Sequence, residues 1–220
     1  MIDVAKTAPP NTQWTLYGVD VSWTQFSLST DLPTNIFFKQ ASVISLPRSW
    51  DVSFDFVQLR MMHAALSDAE WPLALRETHR VLKHGGSMQL MAPMKPCGNT
   101  PAILRQADLF NRLFYAVGMD PDLSQKMPQL VRDAGFRDVR CDIRMVALNM
   151  KLAEGGEDGN VPSLATLLLA AVNRMKAKAI ELDCVDSGED FDDLLKKLEA
   201  DWNVDDQPMY GYFVIVMAHK

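Results

Sequence analysis

The chain has 220 residues, 48% of them hydrophobic and 23% charged, with a formal net charge of −6. Enough apolar material is present for one domain with a buried core, and the acidic balance argues against the basic stripe of a nucleic-acid binder. No apolar run approaches the ~20 residues of a bilayer span, and residues 1–10 show neither the basic nor the apolar region of a secretory leader.

The predicted elements run as follows. Residues 14–19 (WTLYGV) form a strand ending at Asp20, and 35–40 form a short second strand. Residues 54–59 (FDFVQL) form a third. A helix over 68–82 is capped by Ser67 or Asp68, carries Trp71, Leu75, Thr78 and Leu82 at helical spacing, and stops at Gly85-Gly86. A strand covers 87–91. Helices over 102–117 and 123–134 follow, the second closed by Gly135. A long strand at 139–149 precedes an apolar helix at 164–182 and an acidic amphipathic helix at 191–202. The last strand, 210–218, is nearly all apolar and is expected to be buried on both faces.

Strands alternating with helices predict a mostly parallel sheet with helices on both sides, the C-terminal strand inserting antiparallel. The chain reads as one domain over 1–220, with 100–135 and 150–206 as helical lid or insert segments. Residues 153–160 (AEGGEDGN) read as a surface loop. The eleven acids and two lysines of 181–206 read as a solvated face. Cys97, Cys141 and Cys184 are too scattered for a disulfide framework or a metal set, so a reducing, cytoplasmic or nuclear compartment is expected.

Residues 54–91 carry a recognisable pattern. FDFVQLR, a helix ending RVLKHGG, and then SMQLMAP resemble the class I S-adenosylmethionine (SAM)-dependent methyltransferases. The likeness is closest to the fungal methyltransferases of secondary metabolism, including the velvet-interacting regulators. YGVDVS resembles that family's second strand, and LVRDAGFRDVR its late helix, glycine turn and strand. The resemblance implies a Rossmann-like α/β fold.

The resemblance also implies departures. The family's first strand and Gly-rich loop would precede a helix ending near residues 5–10, so the chain would start inside that helix. No GxGxG is present. Ala41 or Ser42 stands where an acid would accept from the adenine amine, and Ala92 stands where relatives often carry Glu. Asp20 is either the acid that holds the ribose or a strand-end cap acting with Ser22. Asp20 and Ser42 are thus vestigial SAM positions. A shrunken, rearranged sheet stabilised by dimerisation is expected, and SAM would bind only if another chain completed the site.

Ligands of such folds sit outside the carboxyl ends of the parallel strands. His63 is the candidate acid or base there, and Arg60 the candidate holder of a carboxylate or enolate, unless it pairs with Asp68 or Glu70. Trp23, Gln58, Met61, Met62, Met91, Met94, Phe110, Phe114 and Tyr115 are the candidate apolar lining, although residues at such spacing also make plain core. Lids are expected from 23–32, 102–117 and 150–165. These features favour a protein that acts on a small apolar, polyketide- or terpenoid-like intermediate as a SAM-independent cyclase or isomerase. An atypical SAM-dependent O-methyltransferase, or a regulatory partner of velvet-type proteins, are the alternatives.

Overall fold

Six strands and six helices follow one another in the computed structural model, which describes residues 13–26, 33–94, 98–148, 163–202 and 210–220. The strands are β1 (Leu16–Asp20), β2 (Ile36–Gln40), β3 (Phe54–Arg60), β4 (Leu82–Pro93), β5 (Arg137–Ala147) and β6 (Tyr210–His219). The helices are α1 (Trp71–Val81), α2 (Pro101–Ala116), α3 (Leu123–Asp133), α4 (Leu164–Asn173), α5 (Lys176–Glu181) and α6 (Gly188–Trp202).

Local chemistry sets several boundaries. Ser67 donates both its backbone N–H and its hydroxyl to Glu70 Oε2, each at 2.8 Å. This fixes the turn that feeds α1. The Thr100 hydroxyl accepts from the Ile103 N–H at the start of α2, and Ser163 does the same for Thr166 at α4. The carboxyl end of α1 is held by Lys220, whose Nζ donates to the Arg80 and Leu82 carbonyls at 3.2 and 2.7 Å.

The strands form two sheets among the described residues. β1 and β2 pair in parallel, from Leu16 opposite Ile36 to Asp20 opposite Gln40. The larger sheet has the order β3-β4-β6-β5. β3 and β4 are parallel, while β6 runs antiparallel to both β4 and β5. The expected antiparallel insertion of the last strand is therefore present. β1 and β3, which one shrunken, rearranged sheet would bring side by side, do not pair, and they meet through aromatic rings. Tyr17 of β1 lies 5.5 Å from Phe54 of β3 and 5.4 Å from Trp50 (ring centroids).

Two cores result. One joins the inward face of the larger sheet (Leu59, Met88, Leu90, Ala92, Val214, Val216) to Trp71 and Leu75 of α1 and to Met127 and Val131 of α3. The other joins α2, α4, α5 and α6 through Ile103, Leu113, Val172, Ala179, Phe191 and Leu198. Within the 100–135 segment the two helices therefore differ: α2 joins the helical core and α3 lies on the sheet. Full burial of each Leu, Ile, Met or Phe stabilises by roughly 1.5–3 kcal/mol.

Four expectations are corrected. The helix predicted to stop at the glycines ends at Val81, because Leu82 is extended (ψ 142°) and its neighbours run straight into β4. The single helix expected over 164–182 is two, α4 and α5, separated at Arg174-Met175. β5 runs 137–147 rather than 139–149. β6 is buried on the face carrying Val214, Val216 and Ala218, whereas Ile215 and Met217 on the other face are only half-buried.

Candidate functional site

The carboxyl end of β1 delivers Asp20, whose Oδ1 accepts from the Ser22 N–H at 2.8 Å. Ser22 in turn caps a short 3-10 turn (Trp23–Gln25) through Thr24 N. One oxygen of Asp20 therefore has the local capping role. Trp23 is half exposed and packs edge-on against Phe26, with ring centroids 5.2 Å apart. Ser42 sits in a tight turn, its carbonyl accepting from Ser45 N at 3.0 Å and its hydroxyl from Ile44 N at 3.4 Å.

β3 ends at Arg60, and the chain then bends at Met61, which adopts the left-handed conformation (φ 60°, ψ 29°). Such a backbone costs a non-glycine residue of order 1 kcal/mol or more and often marks a functional turn. The Met61 N–H donates to the Met91 carbonyl at 2.8 Å, tying the ends of β3 and β4 together. The bend presents His63 on a 3-10 turn (Met62–Ala64) with its ring stacked on Phe114 of α2, centroids 6.2 Å apart and 19° from parallel. Phe110 lies one turn back, 6.0 Å from Phe114.

Burial holds the imidazole pKa down at about 4, and the neighbouring Met61 backbone offsets this only in part. His63 is therefore neutral at physiological pH, and its buried Nδ1 has no hydrogen-bond partner among the described residues. A neutral imidazole offers one acceptor and one donor to a ligand.

The structure gathers His63, Phe110, Phe114 and the Met61–Met91 end of the two strands. Met62 and Met94 pack partly buried against the sheet core. It separates others from them. Gln58 projects from the opposite face of β3 to Leu59 and donates to Gln89 Oε1 at 2.6 Å, and Gln89 donates to Met217 Sδ. Arg60, two residues on, shares that face and is exposed. Its proposed partners are engaged elsewhere: Glu70 with Ser67, and Asp68 with the Asp120 N–H. Tyr115 is 65% exposed, because it lies one residue round the helix from Phe114. Cys97, residues 27–32 of one expected lid and 150–162 of another lie outside the described residues.

Two features escaped the sequence. The left-handed Met61 has no local signature, since glycine is absent. A cleft of about 130 Å³ between α2, α6 and the 184–186 turn is lined by Arg105, Asp108, Arg112, Asp186 and Asp190. Both of its arginines are engaged: Arg105 pairs with Asp190, and Arg112 Nη2 donates to the Asp183 carbonyl at 2.6 Å. Among the described residues no cluster of His, Cys, Asp and Glu could hold a metal, and no helix is long and apolar enough to cross a membrane.

The parallel strands, the Asp20 strand end and the β3–helix–β4 unit decide which proteins the chain resembles. Residues 2–86 match a methyltransferase domain family model. An N-methyltransferase of Claviceps purpurea, tcpN, is 25% identical over 186 residues, covering 80% of this chain. The chain spans 64% of that relative's length. In fold, the chain matches phosphoethanolamine N-methyltransferase 2 of Haemonchus contortus with a TM-score of 0.52 at 14% identity, over 94% of this chain and 44% of that one. It also matches the YcgJ protein of Bacillus subtilis with a TM-score of 0.51 at 18% identity, over 94% and 82% of the two chains. The fold is thus Rossmann-like and methyltransferase-like.

SAM is the cofactor such a fold implies. The described residues fit it in part. Asp20 stands at a strand end where an acid can accept ribose hydroxyls, but Oδ1 already holds Ser22 N. Ala41 and Ser42 supply no carboxylate to an adenine amine, and the Ser42 hydroxyl is turned back onto Ile44.

Proposed function

We propose that the chain is a methyltransferase-fold protein of secondary metabolism that acts on an apolar polyketide- or terpenoid-like intermediate, as a SAM-independent cyclase or isomerase. The supporting observation is His63: a neutral, half-buried imidazole whose buried Nδ1 has no partner among the described residues, stacked on Phe114 beside a strained strand end. Orientation of a flexible apolar substrate in a dry site lowers the barrier to ring closure without a cofactor. The phenyl rings of Phe110 and Phe114 supply the apolar wall. His63 holds a hydroxyl or enol proton and returns it as the bond order shifts, so no net charge is left in the site. The partial fit of the SAM positions favours this chemistry over methyl transfer.

SAM-dependent methyl transfer is the second reading, favoured by the family match over residues 2–86 and by the fungal N-methyltransferase relative. In that case other residues complete the cofactor site around Asp20.

The test is turnover of a panel of polyketide and terpenoid intermediates, followed by mass spectrometry with and without SAM. The proposal expects an isomeric product of unchanged mass without SAM, lost on His63→Ala and unchanged on Arg60→Ala, whose side chain is exposed on the other face of β3. A product heavier by one methyl group, formed only with SAM, would establish the second reading instead.

A further inference from the structure

The outer edge of β5 offers a second feature, independent of the site at His63. β5 is the terminal strand of the larger sheet and pairs only with β6 among the described residues. Every residue from Arg140 to Met145 is exposed. Ile143 and Met145 are 55% and 58% exposed, which is high for large apolar side chains in a strand. An edge of this length, open and partly apolar, is a template for another strand.

The side chains sort by face. Arg140, Asp142 and Arg144 lie opposite Met217, Ile215 and Phe213 on one face of the sheet, while Cys141, Ile143 and Met145 lie opposite Val216, Val214 and Tyr212 on the other. Asp142 and Arg144 pair within the strand at 2.7 Å.

We infer that β5 pairs antiparallel with β5 of a second copy of this chain about a two-fold axis at Ile143, joining the two larger sheets into one. A two-fold axis normal to the sheet keeps faces together, so only residues of like parity oppose each other. With the axis at Asp142 or at Arg144, identical charges face each other. With the axis at Ile143, Asp142 faces the partner's Arg144 and Arg144 faces the partner's Asp142. On the other face, Ile143 meets its own copy and Cys141 meets the partner's Met145.

An axis at Cys141 would also oppose unlike charges. It would, however, need the ladder to continue through Asp138, where the chain is left-handed (φ 49°) and the register with β6 shifts between Arg137 and Arg140. The regular stretch from Arg140 to Ala147 therefore selects Ile143. Opposed unlike charges favour a cross-strand pair and like charges disfavour it.

Sedimentation equilibrium of the full chain tests this with three variants, each checked by far-UV circular dichroism for retained fold. Wild type is expected to be a dimer. Arg144→Asp and Asp142→Arg each set two pairs of like charges against one another and are expected to be monomers at the same concentration. The double variant Asp142→Arg/Arg144→Asp restores opposition of unlike charges and is expected to dimerise again. A monomeric wild type, a dimer indifferent to both single reversals, or a double variant that stays monomeric while folded would each overturn the inference.

Discussion

At the scale of single residues, His63 and Arg80 carry the clearest consequences. The imidazole of His63 is held near pKa 4 by burial against an ordinary value of 6.5. A lowered histidine pKa means that the unfolded chain binds the proton first. The stability contributed by the neutral form is therefore complete above about pH 6.5 and is lost as pH falls toward 4. His79 is lowered in the same direction, by burial and then by Lys220, Arg137 and His84, so it adds to the same acid loss. His63→Gln should lose less stability than wild type between pH 7 and pH 4.5, read from urea midpoints at the two pH values. An equal loss would mean that the ring is not neutral and buried.

Arg80 ties three segments together. Its Nε and Nη2 donate to Glu77 at 2.8 and 2.6 Å, Nη2 also reaches the Leu46 carbonyl at 3.0 Å, and Nη1 pairs with Asp51. Glu77 accepts from Leu46 N at 2.7 Å, and the Arg80 hydrogen bonds hold its carboxyl below the usual range. Arg80→Ala leaves Glu77 partly buried without its cation. It should cost about 2–4 kcal/mol in urea unfolding at constant m value. The residue types at the strand ends were legible in the sequence: Asp20 ends β1, and His63 follows β3 and stacks on Phe114. Tyr115 was not legible: a run of Phe and Tyr along a helix does not reveal which of two adjacent residues faces inward.

At the scale of elements, boundaries follow from contacts that sequence spacing cannot show. The Gly85-Gly86 pair lies inside β4, at the irregularity where the pairing with β3 shifts between Leu82 and Ser87, and does not end a helix. Gly85 is left-handed (φ 79°) with open space around it, whereas a Cβ on Gly86 would lie 2.9 Å from the Lys83 carbonyl and 3.2 Å from that of Asp55. The second glycine is needed for close approach of β4 to β3. Gly86→Ala should therefore destabilise more than Gly85→Ala, by roughly 2 kcal/mol against about 1, measured as the difference in thermal midpoint. The reverse order would place the constraint in the left-handed backbone of Gly85 rather than in the strand contact.

Thr100 has a comparable part at α2. Its hydroxyl accepts from Ile103 N and donates to Asp201 of α6, so one side chain caps one helix and holds a second. Thr100→Ala should cost about 1 kcal/mol or slightly more. The split of the 164–182 helix was hidden because its composition is uniformly helix-forming. After the break at Arg174-Met175, α5 packs on α6, where Lys176 pairs with Asp192 at 2.6 Å.

At the scale of the whole molecule, periodicity made the strand and helix order readable and the methyltransferase-like pattern gave the sheet topology, including the antiparallel β6. Pairing across the space between β1 and β3 depends on backbone positions that no side-chain pattern encodes. The candidate site lies where the larger sheet meets the helical unit: the β3 end and His63 come from the sheet side, and Phe114 from α2. The link is braced beside it, with the Asp68 N–H donating to the Gly118 carbonyl at 3.2 Å and Asp68 Oδ1 accepting from Asp120 N at 2.8 Å. The central claim is that this site works on an apolar substrate without SAM. Isothermal titration of the purified chain with SAM tests it most directly. No heat of binding is predicted at micromolar SAM, for wild type and Asp20→Ala alike; micromolar binding by wild type, abolished by Asp20→Ala, would contradict it.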